Sequence, residues 1–171
     1  MTLWFTADHH FGHANIIRFC HRPFADVAEM DEAMIERWNA VVEDRDEVWH
    51  LGDFAYRCGP NRQAEIFGRL HGRAIHLVRG NHDRGRTLAL PWASVQHYAE
   101  IDANGRLLVL FHYALRGWRG SRRGSLALHG HSHGALPNLP ATCDVGVDVW
   151  NFRPVSLPEI LRKIESASPP S

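Results

Sequence analysis

The chain has 171 residues, and its acidic and basic side chains balance to a formal net charge of +0. This length suits one domain that buries roughly 70% of the surface of its unfolded chain, and 44% hydrophobic with 22% charged residues is typical of a globular protein. Zero net charge excludes a global electrostatic attraction to nucleic acid or to an anionic membrane.

The first half of the chain alternates predicted strands with predicted helices. Asp26 is predicted to cap the second helix with Glu29 as its capping-box partner, and Asn61 to cap the third, which runs through Leu70 and is closed by Gly72. The order β-α-β-α-β predicts parallel strands with right-handed crossovers. The predicted strands are residues 2–7, 47–51 and 74–78, and a short helix is predicted over 15–20.

The second half reads as more strands and a final helix. Asn104-Gly105 between two β-like runs, residues 94–102 and 106–111, predicts a hairpin. Ser156 and Glu159 form a capping box before the last helix. Further strands are predicted over 126–128 and 142–149, and the helix over 157–165. We therefore expect a single domain over 1–165 and a flexible tail over 166–171.

The cysteines and the N-terminus indicate the cellular compartment of the protein. The three cysteines form no C-x-x-C pair, and an odd number favours a reducing compartment. The first residues lack the basic region and apolar core of a signal peptide, and no apolar run nears the ~20 residues of a membrane span. We expect a soluble cytoplasmic protein without a membrane partner, and the sequence leaves its oligomeric state open.

Polar side chains able to bind metal follow five of the predicted strands. Histidine, the commonest metal ligand, is abundant at 13 residues. Ligands bind at the carboxyl ends of strands in α/β proteins, so these side chains are expected to converge. Each pattern alone also suits a turn or a core histidine, and it is their combination that indicates a site. The residues are Asp8, His10, Asp53, Asn81, His82, Asp83, His112, His131 and His133.

The residue types suit a centre of two metal ions. Mixed carboxylate, imidazole and amide ligands favour divalent ions such as Mn²⁺, Fe²⁺ or Zn²⁺. Asp53 is the natural bridge between two ions ~3.5–4 Å apart, which would lower the pKa of a bridging water towards neutral. His131 and His133 would face the same side if their segment is extended.

In chain order these motifs resemble the calcineurin-like metallophosphoesterase superfamily, and in particular its small bacterial members. The resemblance covers residues 3–150 and implies an α/β fold, a four-layer α-β-β-α sandwich with two metal ions at the strand ends. The motifs are Asp8-x-His10, Gly52-Asp53, Gly80-Asn81-His82-Asp83, His112 and Gly130-His131-x-His133.

The resemblance also implies roles for individual residues. It assigns His82 as the general acid that protonates the leaving oxygen. It implies two divalent ions, with Mn²⁺ expected and Fe²⁺, Zn²⁺ or Ni²⁺ as alternatives. One ion would be held by Asp8, His10, Asp53 and His133. The other would be held by Asp53, Asn81, His112 and His131.

We therefore predict a binuclear metal-dependent phosphoric ester hydrolase that uses a metal-bridging hydroxide, with a phosphodiesterase favoured. Its partner would be a small phosphoester or a nucleotide. A phosphomonoesterase or nucleotidase is an alternative, as is a nuclease, although zero net charge disfavours a long nucleic acid. A non-catalytic interaction module on the same fold is disfavoured because every ligand and the general acid are kept.

Six side chains have two interpretations each. In one, the side chain contacts the substrate or supports the metal ligands, and in the other it has a structural or solvated role. Asp83 could orient its loop or His82. Arg119 belongs to the arginine-rich segment 116–123, which is either a solvated loop or a mobile arm that grips phosphate. The six are His13, Arg79, Asp83, Arg84, Arg119 and His129.

Overall fold

Two β-sheets are present in the computed structural model, which describes residues 1–137 and 139–167. The strands in this part of the chain are β1 (Leu3–Thr6), β2 (Glu47–His50), β3 (Ala74–Val78), β4 (Ser94–Gln96), β5 (Tyr98–Ala103), β6 (Arg106–Phe111), β7 (Leu126–His129), β8 (Thr142–Asp144) and β9 (Val155–Ser156). One sheet has the order β4-β3-β2-β1-β9, and the other has the order β5-β6-β7-β8.

Helices flank the two sheets, so the predicted α/β sandwich is confirmed. Side chains alternate along the strands: Trp4 and Val48 pack with the helices, whereas Phe5 and Trp49 face the core shared with the second sheet. The helices in the described residues are α1 (Ala14–Phe19), α2 (Val27–Asn39), α3 (Pro60–Arg69), α4 (Gly85–Leu88) and α5 (Leu157–Ala167). None of them is both long and apolar enough to cross a lipid bilayer.

The predicted parallel β-α-β-α-β arrangement is confirmed. β1 pairs with β2 and β2 with β3, both in parallel, with Thr6 opposite His50 and His50 opposite Leu77. In the second sheet, β6, β7 and β8 are also parallel, with Leu110 opposite Leu128 and Leu128 opposite Cys143. The carboxyl ends of these strands therefore carry the loops that hold the candidate site.

The segment 94–102 is not the single strand that we predicted. It forms β4, which pairs with β3 in the first sheet, and β5, which pairs with β6 in the second. The pattern of β-forming residues does not reveal this change of sheet, because strand partners are chosen by distant residues. The hairpin prediction is confirmed: Ala103 pairs with Arg106, and Asn104 and Gly105 have the positive φ of a type I′ turn.

One predicted helix cap is confirmed and another is wrong. The Asp26 carboxylate accepts hydrogen bonds from the backbone of Ala28 and Glu29, as expected of the N-cap of α2. For α3 the predicted Asn61 cap was wrong, because Gly59 is the N-cap and Pro60 opens the helix. Proline suits that position because its φ is already helical and its missing N–H would be unbonded there anyway.

Three segments are shorter or longer than predicted. The predicted strand 142–149 ends at Asp144, and Val147–Val149 forms a turn of 3-10 helix instead. Helix α3 ends at Arg69 with an extended Leu70, so Gly72 lies beyond the helix and is not its cap. Helix α5 continues to Ala167, two residues into the predicted tail, and the rest of that tail, 168–171, lies outside the described residues.

Candidate metal centre

Hydrogen bonds donated by backbone amides tie together four of the five loops at the carboxyl ends of the strands. The Asp8 amide donates to the Gly52 carbonyl at 2.9 Å, and the His10 amide to the Asp53 carbonyl at 3.0 Å. The Gly130 amide donates to the His112 carbonyl at 3.0 Å. The fifth loop reaches the first through the His131 amide, which donates to the Asp8 carboxylate at 2.8 Å. These bonds bring together side chains that are distant in sequence.

The side chains on these loops form two adjacent groups, each with three ligand atoms within 4.8 Å of one another. One group is Asp8, His10 and His133. The other is Asp53, His112 and His131. Six of the seven predicted ligands therefore belong to one or the other of these two groups. The seventh, Asn81, has its amide oxygen 3.1 Å from His112 Nε2.

Asp53 lies between the two groups. Its Oδ2 is 3.5 Å from His10 Nε2 on one side and 3.5 Å from His112 Nε2 on the other. Its Oδ1 accepts a hydrogen bond from the His82 amide at 2.9 Å, which fixes the carboxylate. One carboxylate therefore faces ligands from both groups, as the bridging role predicted for Asp53 requires.

Hydrogen bonds orient two of the imidazoles for metal binding. His112 Nδ1 lies 2.7 Å from the Leu51 carbonyl, which can only accept, so Nδ1 carries a proton and Nε2, 3.1 Å from Asn81 Oδ1, is the nitrogen that would face a metal. His133 Nδ1 lies 2.7 Å from Asp148 Oδ2 and is the natural donor to that carboxylate. A partner on the far nitrogen is the usual arrangement for metal-binding histidine.

The side chain of His10 tests whether a metal fits here. It is buried, and neither ring nitrogen has a hydrogen-bond partner among the described residues. Burying an unsatisfied polar group costs free energy. Burial also holds the pKa of His10 well below its usual value, so the ring is neutral and able to coordinate. A divalent ion beside His10 Nε2 would satisfy the group.

The backbone at the ligands is strained. Non-glycine residues rarely adopt a positive φ, and such strain clusters at functional sites. Five of the seven predicted ligands adopt one. They are Asp8 (φ 60), His10 (φ 53), Asp53 (φ 57), His131 (φ 65) and His133 (φ 46). The segment with the last two is therefore a turn, not the extended segment that we assumed, and their rings belong to different groups.

The pKa is raised in two members of the first group, Asp8 and His133. Burial raises the pKa of the Asp8 carboxyl to about 7. Burial disfavours the charged form of His133 as well, but its hydrogen bonds to Asp148 and Cys20 and the nearby carboxylates raise its pKa to about 10. An environment that holds protons on both groups would also favour a metal ion that displaces them.

The raised pKa of Asp8 makes a testable difference to the metal-free protein. The pKa of Asp8 in the folded protein is above its ordinary value. The free energy of unfolding that Asp8 contributes is therefore present below about pH 4 and is lost as the pH rises through about 7. We expect Asp8→Asn to remove that loss, and to stabilise the metal-free protein at pH 8 by as much as ~4 kcal/mol, at about 1.4 kcal/mol per pKa unit.

Urea unfolding of wild-type and Asp8→Asn protein in chelator at pH 5 and pH 8 would measure this. The exposed Asp102→Asn should show no such gain. A wild-type protein that is as stable at pH 8 as its Asp8→Asn variant would contradict the expectation.

Asp83 joins the third loop to the second. Its buried carboxylate accepts from the amides of Asp53 and Gly80, both at 2.8 Å, and of Phe54 at 3.0 Å. It therefore orients the loop that carries Asp53, one of the roles that the sequence left open. Gly80 allows this close approach, because a Cβ at that position would collide with the backbone and carboxylate of Asp53.

We expect Asp83→Ala to destabilise the fold by at least about 3 kcal/mol, since each buried N–H left without an acceptor costs ~1–3 kcal/mol. Asp26→Ala is the matched control: it removes an aspartate that also accepts backbone N–H groups, but at the exposed start of α2, and should cost ~1 kcal/mol. Equal urea midpoints for the two variants would show that Asp83 is not needed to hold the loops.

Sequence reasoning missed two residues behind the site, the buried Arg22 and the half-buried Asp148. The Arg22 guanidinium donates to both Asp148 oxygens, at 2.8 and 2.9 Å, and to the carbonyls of Asp8 and His9. Asp148 in turn holds His133. Arg22 and Asp148 are 126 residues apart, and neither belongs to a spaced motif, so only the folded chain reveals them. His9 is also buried, with its Nδ1 2.9 Å from His50 Nε2.

The six side chains with two interpretations are placed differently by the structure. His13 lines the cleft beside the metal centre, and Arg84 lines an adjoining one. Arg79 donates to the Asp83 carbonyl, and buried His129 joins neither ligand group. Arg119 pairs with Glu100 and lines a separate cleft with Arg106 and Leu107 at the start of β6, so it does not line the cleft of the metal centre.

A family model described as calcineurin-like phosphoesterase matches residues 1–161 of this chain. An uncharacterized protein of Methanocaldococcus jannaschii is 34% identical, over 95% of this chain and 91% of that protein. The Gene 66 protein of Mycobacterium phage D29 is 29% identical, over 87% of this chain and 89% of its own length. These matches span nearly the whole length of each relative.

Among solved structures, a protein of unknown function from Aquifex aeolicus superposes with a TM-score of 0.76. The superposition covers 95% of this chain and 99% of that one, at 23% sequence identity. At that identity the likeness supports the fold alone.

Proposed function

Because the chain belongs to the calcineurin-like phosphoesterase family, we propose that it is a hydrolase of phosphodiesters with a centre for two divalent ions. The observation that carries the proposal is the position of Asp53, whose single carboxylate faces histidines of both ligand groups at 3.5 Å. Two ions sharing such a carboxylate would neutralise charge on the phosphate and supply a hydroxide near neutral pH.

The side chains of this chain would divide the remaining work. Asp8, His10 and His133 would hold one ion and Asn81, His112 and His131 the other, with Asp53 between them. His82 is half-buried, and its Nε2 lies 3.9 Å from Asp53 Oδ2, at the edge of the cleft. From there it would hold the proton that passes to the leaving oxygen.

The cleft favours a substituted phosphate. It has a volume of about 490 Å³ and is lined by His10, His82 and Asp53 together with side chains outside the ligand groups. A diester has two substituents that can contact those outer walls, whereas a monoester has only one. We therefore prefer a phosphodiesterase, and Mn²⁺ as its metal.

Purified protein, stripped and reloaded in turn with Mn²⁺, Fe²⁺, Zn²⁺ or Ni²⁺, tests the proposal. We expect about two ions per chain and cleavage of bis-p-nitrophenyl phosphate, with p-nitrophenyl phosphate cleaved more slowly. Absence of turnover with all four metals would refute the enzyme. Near-zero metal after reloading would favour a non-catalytic module.

Three free cysteines, two of them buried, support a reducing compartment, and we place the reaction in the cytoplasm.

A further inference from the structure

The cleft beside the candidate metal centre has an aromatic wall, which consists of Phe19, His13, Tyr56 and His82. Phe19 and His13 have ring centroids 6.3 Å apart, His13 and Tyr56 4.5 Å, and Tyr56 and His82 4.7 Å. The rings thus form a continuous series from the mouth of the cleft to the candidate proton donor. A planar group held at the metal centre would lie within reach of this series.

Core packing does not account for the outer end of the aromatic wall. Ile16 on the same short helix is buried and joins the core, whereas Phe19 is 60% exposed. Tyr56 is half-buried and lines the cleft, and the Arg57 guanidinium lies 5.4 Å from the centre of its ring. A large exposed ring in a concave site beside other rings is typical of a surface that binds a ligand.

The charge next to the aromatic wall favours an anionic ligand. A second cleft of about 540 Å³ adjoins the first at Tyr56 and His82 and is lined by Arg57, Arg84 and Arg86. All three arginines are exposed, and none has a carboxylate partner within residues 1–137 and 139–167. Unpaired guanidinium groups bind phosphate oxygens well. The protein is therefore locally basic here although its net charge is +0.

Resting on the phosphodiesterase proposed above, we infer that the substrate is a phosphoester that carries a nucleobase. Its phosphorus would lie at the metal centre, and its base would stack on the aromatic wall at Tyr56 and Phe19. Stacking on aromatic side chains is sequence-tolerant because every base has a π-face. Selectivity for the base over sugar and phosphate would therefore come from these two rings.

Two ligands that differ only in the base test the inference by calorimetric titration of the metal-loaded protein. We expect adenosine 5′-phosphate to bind about tenfold more tightly than ribose 5-phosphate, with released inorganic phosphate measured in parallel. Tyr56→Leu and Phe19→Leu should each reduce that ratio towards one. Tyr98→Leu, an exposed tyrosine on β5 outside the cleft, should leave it unchanged.

Phe19→Leu alters an exposed side chain, so it keeps the inference testable if Tyr56→Leu fails to fold. Equal binding of the two ligands by a protein that does hydrolyse bis-p-nitrophenyl phosphate would overturn the nucleobase site alone. Preferential binding of adenosine 5′-phosphate by a protein without turnover would refute the enzyme and retain the site. A hexadeoxyadenylate titration distinguishes a free nucleotide from a single strand, since only a strand should bind more tightly than the mononucleotide.

Discussion

His82→Ala should lose about 10²–10⁴-fold in kcat/KM on a diester with an alkoxide leaving group, while its metal content stays at the wild-type level. The imidazole lies at the edge of the cleft, and its Nε2 is 3.9 Å from Asp53 Oδ2, which is longer than a hydrogen bond. The backbone amide of the same residue holds Asp53 Oδ1, and truncation of the side chain keeps that bond. The variant should therefore retain its metals.

A comparison of leaving groups separates proton donation from metal binding. A p-nitrophenolate needs little help from an acid, so the loss on bis-p-nitrophenyl phosphate should be much smaller than on thymidylyl-(3′,5′)-thymidine. His97→Ala, an exposed histidine outside the cleft, should match the wild type on both. Equal losses on the two substrates together with reduced metal content would mean that His82 acts as a ligand, against the proposed role.

Asp53→Asn should reduce kcat/KM by at least about 10³-fold and reduce metal content below two ions per chain. The substitution keeps the shape of the side chain and an oxygen for the His82 amide, but it removes the one charge that faces both ligand groups. The attraction of this charge for the cations is strong because the carboxylate is nearly fully buried. Both sites are expected to weaken together.

Metal analysis after gel filtration, with kinetics over a range of Mn²⁺ concentrations, would measure this effect. Asp102→Asn removes an equal charge at the exposed hairpin and should change neither quantity. If Asp53→Asn still bound two ions tightly, the bridging role would be wrong, and the two groups would have to act as independent sites.

Much of the site could be predicted because its residues lie directly after strands whose pattern is local. The apolar run 74–78 predicts β3, and the polar residues after it, Asn81 to Asp83, follow from the same few residues. Parallel topology then places all such strand ends at one edge. That is why the metal-ligand prediction needed no knowledge of contacts, although its test still requires metal analysis.

Segments whose structure depends on distant partners were predicted poorly. Residues 94–102 are equally β-forming throughout, yet Gln96 lies in one sheet and Tyr98 in the other. The reason is that β4 pairs with β3 and β5 pairs with β6, and these two partner strands belong to different sheets. The arginines next to Arg119 in the sequence led us to interpret its segment as either a solvated loop or a phosphate-binding arm. Its pairing with Glu100 depends on where β5 lies, which local sequence does not encode.

The sequence by itself determined the fold family, the β-α-β-α-β order of the first half, and the residue types at each strand end, since these depend on periodicity and on short motifs. Only the tertiary structure decided how Asp83, Arg22 and Asp148 support the ligands and that the aromatic wall borders the centre. Those contacts join residues up to 126 positions apart, and each requires the two sheets and their loops to be packed before it can form.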